Sequence, residues 1–244
     1  MNIGTLAWGG ATRGQLRNSE RLLLTLQGVR AVVRTYLPGG RTFSPPSIAE
    51  PPETALARRA EQLLVATSPP WLVNHGKRTY VWAMALAQRD DLRVDRELLY
   101  AASQLHDLGL VEAYAPASGE CFALSGAKAA EEAMREAGMP APRARIVGEA
   151  IALHLNLTVA LEPHGPEAHL LRAATALDVI GQDADLLARA FRELTLAQLP
   201  RMDFKERVIE AVEAQAVRSP HTRIGFSCKA LQLSSRIRAA PFPS

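Results

Sequence analysis

Residues 99–110 read Leu99-Tyr100-Ala101-Ala102-Ser103-Gln104-Leu105-His106-Asp107-Leu108-Gly109-Leu110. This run is apolar enough for the core of a helical protein, yet it contains a histidine directly followed by an acid. An imidazole and a carboxylate are costly to bury side by side unless something compensates them, as a divalent cation does. The pair His106-Asp107 is therefore a candidate site.

Two further residues extend the pair to a set of four. His75 lies upstream and Asp178 downstream, each in or beside a helix-like apolar pattern. Two neutral imidazoles and two carboxylates would balance the charge of one divalent metal ion. A donor set of nitrogen and oxygen suits zinc, iron, manganese or cobalt, and it argues against copper(I) or an iron–sulfur cluster.

Each of these residues also has an ordinary structural interpretation. His106 could meet the negative end of a helix dipole while Asp107 turns to water before Gly109. His75 could cap a helix, and Asp178 could be a solvated helix residue. These interpretations explain the residues one at a time but not the recurrence of histidine and aspartate on separate helical segments, so we favour the metal site.

Four more side chains are weighed in the same way. His154 lies in an apolar stretch and could be a satisfied core histidine. Near a metal it could instead donate a proton, bind substrate or ligate a second cation, and we favour a role other than ligation. Arg78 follows His75 by one helical turn, which suits an anion clamp or, as we favour, an ion pair with a buried acid. His164 and His169 flank a Pro/Gly-rich link and are expected at the surface, although they leave a second metal ion open.

The composition limits the classes of partner. The chain has 244 residues, of which 48% are hydrophobic, 22% charged and 5% aromatic, as in a globular protein with an aliphatic core. A net charge of +3 without a basic tract argues against nucleic acid as the main partner. Apolar runs shorter than about 18 residues argue against a membrane span, and two widely separated cysteines favour a reduced cytoplasmic setting.

The chain divides into two parts. Glycine and proline pairs surround one helical segment from about Ser19 to Tyr36 within residues 1–52, so we expect an irregular N-terminal extension that wraps the main domain, packs at an oligomer contact or is partly mobile. Residues 53–244 carry successive helical patterns without sustained strand alternation, and they are predicted to form an all-α bundle. The expected helices cover Glu53–Thr67, Trp71–Gln88, Asp95–His106, Ser125–Ala137, Pro142–Leu155, Glu167–Ile180, Asp183–Leu194, Asp203–Val217 and Gly225–Arg238, with Asp95, Ser125 and Asp203 as N-caps.

The order His75, then His106-Asp107, then Asp178 on successive helices resembles the HD-domain superfamily of metal-dependent hydrolases. The resemblance covers residues 53–240 and includes the string Leu105-His106-Asp107-Leu108-Gly109. It implies a compact multi-helix HD-domain bundle in which all four residues bind one divalent metal ion. Zinc or iron is expected first, with manganese or cobalt as further candidates.

Several strings are similar to the cyanamide hydratase-like branch of that superfamily. Two positions depart from its pattern, because Gly76 stands where the branch usually has serine and Ala123 where it usually has glutamate. The similar strings are Asn74-His75-Gly76-Lys77-Arg78-Thr79-Tyr80, Phe122-Ala123-Leu124-Ser125-Gly126-Ala127, Ala150-Ile151-Ala152-Leu153-His154 and Ile237-Arg238-Ala239-Ala240-Pro241-Phe242.

The resemblance implies a hydrolase or hydratase that acts on a small nitrile-, amide- or cyanamide-like molecule through a metal-activated water. Asp107, His154 and Arg78 are the expected catalytic residues, with His154 near the open face of the metal. A nucleotide phosphohydrolase is the alternative and would need Lys77, Arg78 or Arg172 near the phosphates. A third hypothesis is a binding protein with a vestigial metal site. We expect a small-molecule partner, neither nucleic acid nor a membrane, and leave a homo-oligomer open.

Overall fold

The structure is a computed structural model. It describes residues 2–35 and 40–244, and for residues 30–35 it describes the backbone alone. Within those ranges the chain forms twelve α-helices and no β-strand, which confirms the predicted all-α fold. The helices are α1 (Leu6–Thr12), α2 (Asn18–Thr35), α3 (Ala55–Thr67), α4 (Pro70–Arg89), α5 (Arg96–Leu105), α6 (Phe122–Glu136), α7 (Ala141–Leu153), α8 (Leu161–Ile180), α9 (Arg189–Gln198), α10 (Phe204–Arg218), α11 (Arg223–Ala230) and α12 (Leu233–Ala239).

Side-chain caps set the start of two helices, and one of them, Asp95, is a predicted N-cap. Asp95 accepts hydrogen bonds from the backbone N–H groups of Glu97 and Leu98 and so begins α5. Thr54 begins α3 in the same way, through the N–H of Ala57. The cap of α5 fixes the register of the helix that ends at the histidine-aspartate pair.

Other predicted boundaries are wrong. α6 starts before Ser125, whose hydroxyl donates to the Tyr114 carbonyl 2.7 Å away instead of capping the helix. Asp203 makes no capping hydrogen bond, because its backbone is left-handed with φ at 59°. α9 begins at Arg189 rather than at residue 183. The helix predicted to begin at Gly225 is divided into α11 and α12, with a left-handed residue directly before α12.

The N-terminal segment contributes more to the core than its glycine and proline content predicts. No pattern predicts α1, whereas α2 agrees with the helical segment expected from Ser19. The expected helix end at Tyr36 lies outside the described residues. The division into two domains at residues 52 and 53 stays a prediction. Four of its described side chains are buried in the large apolar core cluster: Leu6, Trp8, Leu16 and Leu24.

Helix packing brings the candidate residues together. α4 packs on α5 and α8, and α7 also packs on both of those helices. A large apolar cluster lies around α5, α6 and α7, and a second one lies between α4, α8 and α9. The candidate site lies where the helices of these two clusters meet. Among the described residues, each helix is too short or too polar to cross a lipid bilayer.

Candidate metal centre

Four helices supply the buried polar residues of the site. His75 lies in the first half of α4, and His106 and Asp107 directly follow the last residue of α5. His154 caps the C-terminal end of α7, and Asp178 lies in the last turn of α8. All five side chains are buried, although Asp107 retains 8% of its exposure.

Three ligand-type atoms converge in this cluster. His75 Nε2 lies 3.0 Å from His106 Nε2. The Oδ2 atom of Asp107 lies 3.5 Å from the first of these nitrogens and 3.3 Å from the second. Metal–nitrogen and metal–oxygen bonds of about 2.0–2.2 Å in a tetrahedral zinc site separate neighbouring ligand atoms by about 3.3 Å. The three atoms therefore already have the spacing of a metal site.

The hydrogen bonds of Nδ1 in His75 and His106 determine whether Nε2 faces the cluster with a hydrogen or with a lone pair. His75 Nδ1 lies 2.8 Å from Asp178 Oδ2, and His106 Nδ1 lies 2.8 Å from the carbonyl oxygen of Ser103. A carboxylate and a carbonyl can only accept, so each Nδ1 must carry the hydrogen. Each neutral ring then directs the Nε2 lone pair into the cluster.

This arrangement leaves three electron-pair donors in contact with one another. Two nitrogen lone pairs and a carboxylate oxygen repel at these distances unless a cation lies between them. Either a proton on one ring or a metal ion satisfies that requirement. His75, His106 and Asp107 could thus hold a metal ion, and their donor types suit a borderline divalent cation.

His154 adds a third imidazole beside the same carboxylate. Its Nδ1 donates to the Ile151 carbonyl 2.6 Å away, which leaves the Nε2 lone pair facing Asp107 Oδ1 at 3.6 Å. Its ring lies 5.1 Å from that of His106 and 6.0 Å from that of Phe122. His154 is therefore next to the group of three rather than part of it.

Burial and mutual charge displace the pKa values of these groups in different directions. Burial lowers the pKa of His154 to about 3, so this ring is neutral near pH 7. Burial also lowers the pKa of His75, although Asp178 opposes the shift. For His106, burial is outweighed by the Asp107 carboxylate, which raises the pKa. In turn, burial would raise the pKa of Asp107, but the surrounding imidazoles hold it well below its usual range.

Asp178 lies behind His75 and outside the group of three. Its Oδ1 accepts from Arg78 Nε at 2.9 Å and from Trp82 Nε1 at 2.8 Å, and its Oδ2 accepts from Arg78 Nη2 at 2.9 Å and from His75. Arg201 Nη1 donates to the backbone carbonyl of Asp178 at 3.1 Å. Both oxygens of Asp178 are directed toward these donors. Ligation of a metal by Asp178 stays a prediction.

Three other predicted candidates lie outside the group of three ligand-type residues. Lys77 pairs with Glu61 at 2.6 Å on a partly exposed surface. His169 donates from Nδ1 to the Val159 carbonyl 2.6 Å away. Neither His164 nor His169 joins that group, and a second metal ion stays a prediction.

Close backbone contacts at glycines hold the cluster in place. A Cβ atom on Gly76 would lie 3.2 Å from the Ser103 carbonyl, which is the acceptor that orients His106. A Cβ atom on Gly109 would overlap the Phe122 carbonyl. Gly109 therefore needs a residue without a side chain, whereas a Cβ atom at Gly76 would require its neighbours to shift by a few tenths of an ångström.

An apolar pocket opens onto Asp107 and His154. It contains about 770 Å³ free of protein atoms, counting its open mouth. Arg172 and Arg236 also line it, and Arg172 donates to the Asn156 carbonyl at 3.0 Å and to Gln182 at 3.1 Å. The remaining wall is mainly aliphatic: Leu110, Leu155, Leu157, Val179, Ile180, Val208, Val212, Ile224, Leu231 and Leu233.

Sequence reasoning did not select three residues of this region. Trp82 shares a helical face with His75 and Arg78, so helical spacing alone could have pointed to it. Arg201 precedes α10 in a non-helical link, where no periodicity identifies its direction. Arg236 lies on a helix whose start was not predicted, so its face could not be assigned.

The fold and the site define an all-helical protein with a buried histidine-aspartate group that could hold a metal ion. No protein-family model matches the chain, and comparison with curated proteins finds no match. The resemblance to HD-domain hydrolases therefore stays a prediction based on the residues themselves.

Proposed function

We propose that the protein is a metal-dependent hydrolase or hydratase that acts on a small molecule with a nitrile-, amide- or cyanamide-like group. The observation that carries the proposal is the convergence of His75 Nε2, His106 Nε2 and Asp107 Oδ2 beside an apolar pocket. These three residues would hold one divalent ion, with zinc or iron the first candidates for the donor set. We also propose that the protein works in the reducing environment of the cytoplasm.

In this proposal, the side chains of Asp107 and His154 transfer the protons. A divalent cation held by the cluster would lower the pKa of a water from about 15.7 toward 7 and polarise the substrate. In hydration of a nitrile, a water O–H bond breaks, a C–O bond forms at carbon as one C–N π bond opens, and the proton ends on nitrogen. The resulting imidic acid then tautomerises to the amide. Asp107 Oδ1 would accept that proton, and His154 Nε2, which lies 3.6 Å from Asp107 Oδ1, would pass it to the substrate.

Asp178 and Arg78 would act behind the reacting atoms. The hydrogen bond from His75 Nδ1 to Asp178 is of the kind that fixes the orientation of a metal-binding imidazole. Arg78 in turn holds Asp178 with two hydrogen bonds. We therefore propose positioning roles for both residues, in place of direct ligation by Asp178 and direct catalysis by Arg78.

The nucleotide phosphohydrolase alternative has lost part of its support. Of the three cations that it would use, Lys77 is paired with Glu61 and Arg78 with Asp178. Only Arg172 of the three lines the pocket. The vestigial binding protein remains the other alternative, and the assay below separates all three.

The test is an activity screen of the purified full chain with nitriles, amides, cyanamide and a nucleotide panel. We expect turnover of a nitrile, an amide or cyanamide that chelation removes and a divalent metal restores. Asp107→Asn is expected to abolish that turnover, and His154→Gln to reduce kcat by about 10²–10⁴. His164→Asn is the matched control and should retain full activity, because His164 lies outside the cluster.

Each contrary result excludes a specific hypothesis. Turnover that survives complete removal of metal contradicts the proposal. Phosphate release from a nucleotide without turnover of the other compounds would favour the phosphohydrolase. Metal binding without any turnover would favour the vestigial site.

A further inference from the structure

The charges along the pocket wall are unequal. Of the described residues that line it, Asp107 is the acid, and that carboxylate already faces the imidazoles of the cluster. Two arginines, Arg172 and Arg236, line the remainder of an otherwise mainly aliphatic wall. The pocket thus combines an apolar body with two guanidinium groups in its wall.

Arg236 is the arginine of this pair that is available to a ligand. It lies on α12 and is partly buried, and its guanidinium has no hydrogen-bond or ion-pair partner among the described residues. Burial lowers the pKa of Arg236, and no neighbouring carboxylate offsets that shift. A partly desolvated guanidinium without a counter-ion is unfavourable in the empty protein and gains most from a bound anion.

We infer that the pocket takes a small organic anion with an aliphatic body, whose anionic headgroup binds Arg236 while its other end reaches Asp107 and His154. This inference rests on the proposed function, since it names the substrate class of the same site. A carboxylate and a phosphate share the chemistry that a guanidinium recognises, so the experiment includes both.

The test is calorimetric titration of the full chain with three ligands of one chain length: octanoate, octyl phosphate and neutral octan-1-ol. We expect at least one anion to bind about tenfold or more tightly than octan-1-ol, and Arg236→Gln to remove that preference. Arg238→Gln is the matched control, because Arg238 lies on the same helix but is exposed and does not line the pocket. The anion that binds more tightly identifies the headgroup.

Three results would overturn the inference. They are equal binding of the anions and octan-1-ol, retention of the preference in Arg236→Gln, and equal loss of it in Arg238→Gln. Each titration is repeated after chelation. Loss of anion binding in the chelated protein would mean that a metal ion alone held the anion, and this result would also contradict the role of Arg236. Because the Arg236 contact does not require metal, this result is distinguishable from failure of the hydrolase proposal.

Discussion

Asp178 is a single buried carboxylate shared by four donor side chains. It accepts hydrogen bonds from His75, Arg78 and Trp82, and Arg201 Nη1 lies 3.5 Å from its Oδ1. Breaking a buried ion pair on one side leaves the partner charge unpaired in a medium that solvates it poorly. The stability of this region therefore depends on a carboxylate that lies outside the group of three.

We predict that Asp178→Asn lowers the free energy of unfolding by about 3–5 kcal/mol, because it leaves the buried Arg78 unpaired. Urea denaturation followed by circular dichroism measures the change. The control is Glu193→Gln, which removes an exposed pair with Arg189 and should leave the unfolding midpoint close to that of the wild type. If both variants changed the free energy of unfolding by a similar small amount, the buried pair of Asp178 and Arg78 would not stabilise the fold as predicted.

His154 gives a pH dependence with a definite sign. Its folded pKa of about 3 lies below its ordinary value of about 6.5, so between these values the unfolded chain binds a proton that the folded chain does not. Stability should therefore fall as the pH drops from about 6.5 toward 3. We predict that His154→Gln reduces the slope by up to about 1.4 kcal/mol per pH unit in urea titrations of chelated protein. Equal slopes in wild type and variant would disprove the neutral buried state.

At the residue scale, the sequence identified which side chains meet but not which of their atoms meet. Residue type and helical context selected His75, His106 and Asp107, whose ligand-type atoms lie together. The same reasoning selected Asp178, whose carboxylate lies beside Nδ1 of His75 rather than at the centre of the group. That difference depends on side-chain rotamers and on Arg201 in a link, neither of which a periodic pattern describes.

At the scale of elements, the contact between the α5–α6 connection and the start of α6 fixes the histidine-aspartate pair. Gly109 follows Asp107 by two positions and lies against the backbone of Phe122 and Gly126. Any side chain at Gly109 has to move backbone atoms rather than a flexible side chain.

We predict that Gly109→Ala lowers the free energy of unfolding by about 1–3 kcal/mol and weakens metal binding, because it displaces the turn that carries Asp107. The control is Gly10→Ala in α1, where nothing lies within 4 Å of the added Cβ atom. There the higher helix propensity of alanine should stabilise the protein by about 0.5–1 kcal/mol. Chemical denaturation and metal titration of both variants test this, and a harmless Gly109→Ala would contradict it.

Helix positions followed from the sequence where local chemistry decides them. Asp95 caps α5 because its side-chain oxygen reaches two free N–H groups at the start of that helix. Ser125 and Asp203 have the same chemical type but do not cap, since Ser125 donates to the Tyr114 carbonyl and Asp203 has a left-handed backbone. Tertiary contacts decide which of these residues cap a helix, and the pattern of a single sequence does not show those contacts.

At the scale of the whole molecule, the N-terminal segment takes part in the main core. Trp8 is 1% exposed, and its Nε1 donates to Glu20 at 2.8 Å. The guanidinium of Arg223 lies 5.5 Å from the centre of its ring. The breaker-rich composition of residues 1–52 could not indicate this, because burial of one large ring depends on surfaces formed by distant helices.

We predict that Trp8→Ala lowers the free energy of unfolding of the whole chain by about 3–5 kcal/mol in one cooperative transition. Leu22→Ala is the control, since Leu22 is 63% exposed and its loss should matter little. Thermal and urea unfolding monitored at two wavelengths would show the effect. An unchanged transition in Trp8→Ala would mean that the segment is not part of the cooperative core.

Titration of Co²⁺ into the chelated full chain tests whether His75, His106 and Asp107 form one cation site. Calorimetry and visible absorption should show one equivalent bound by the wild type and by His164→Asn. His106→Ala should weaken that binding by more than about 100-fold while circular dichroism shows the helices retained. No saturable binding by the wild type, or the same affinity in His106→Ala, would contradict a cation site at these three residues.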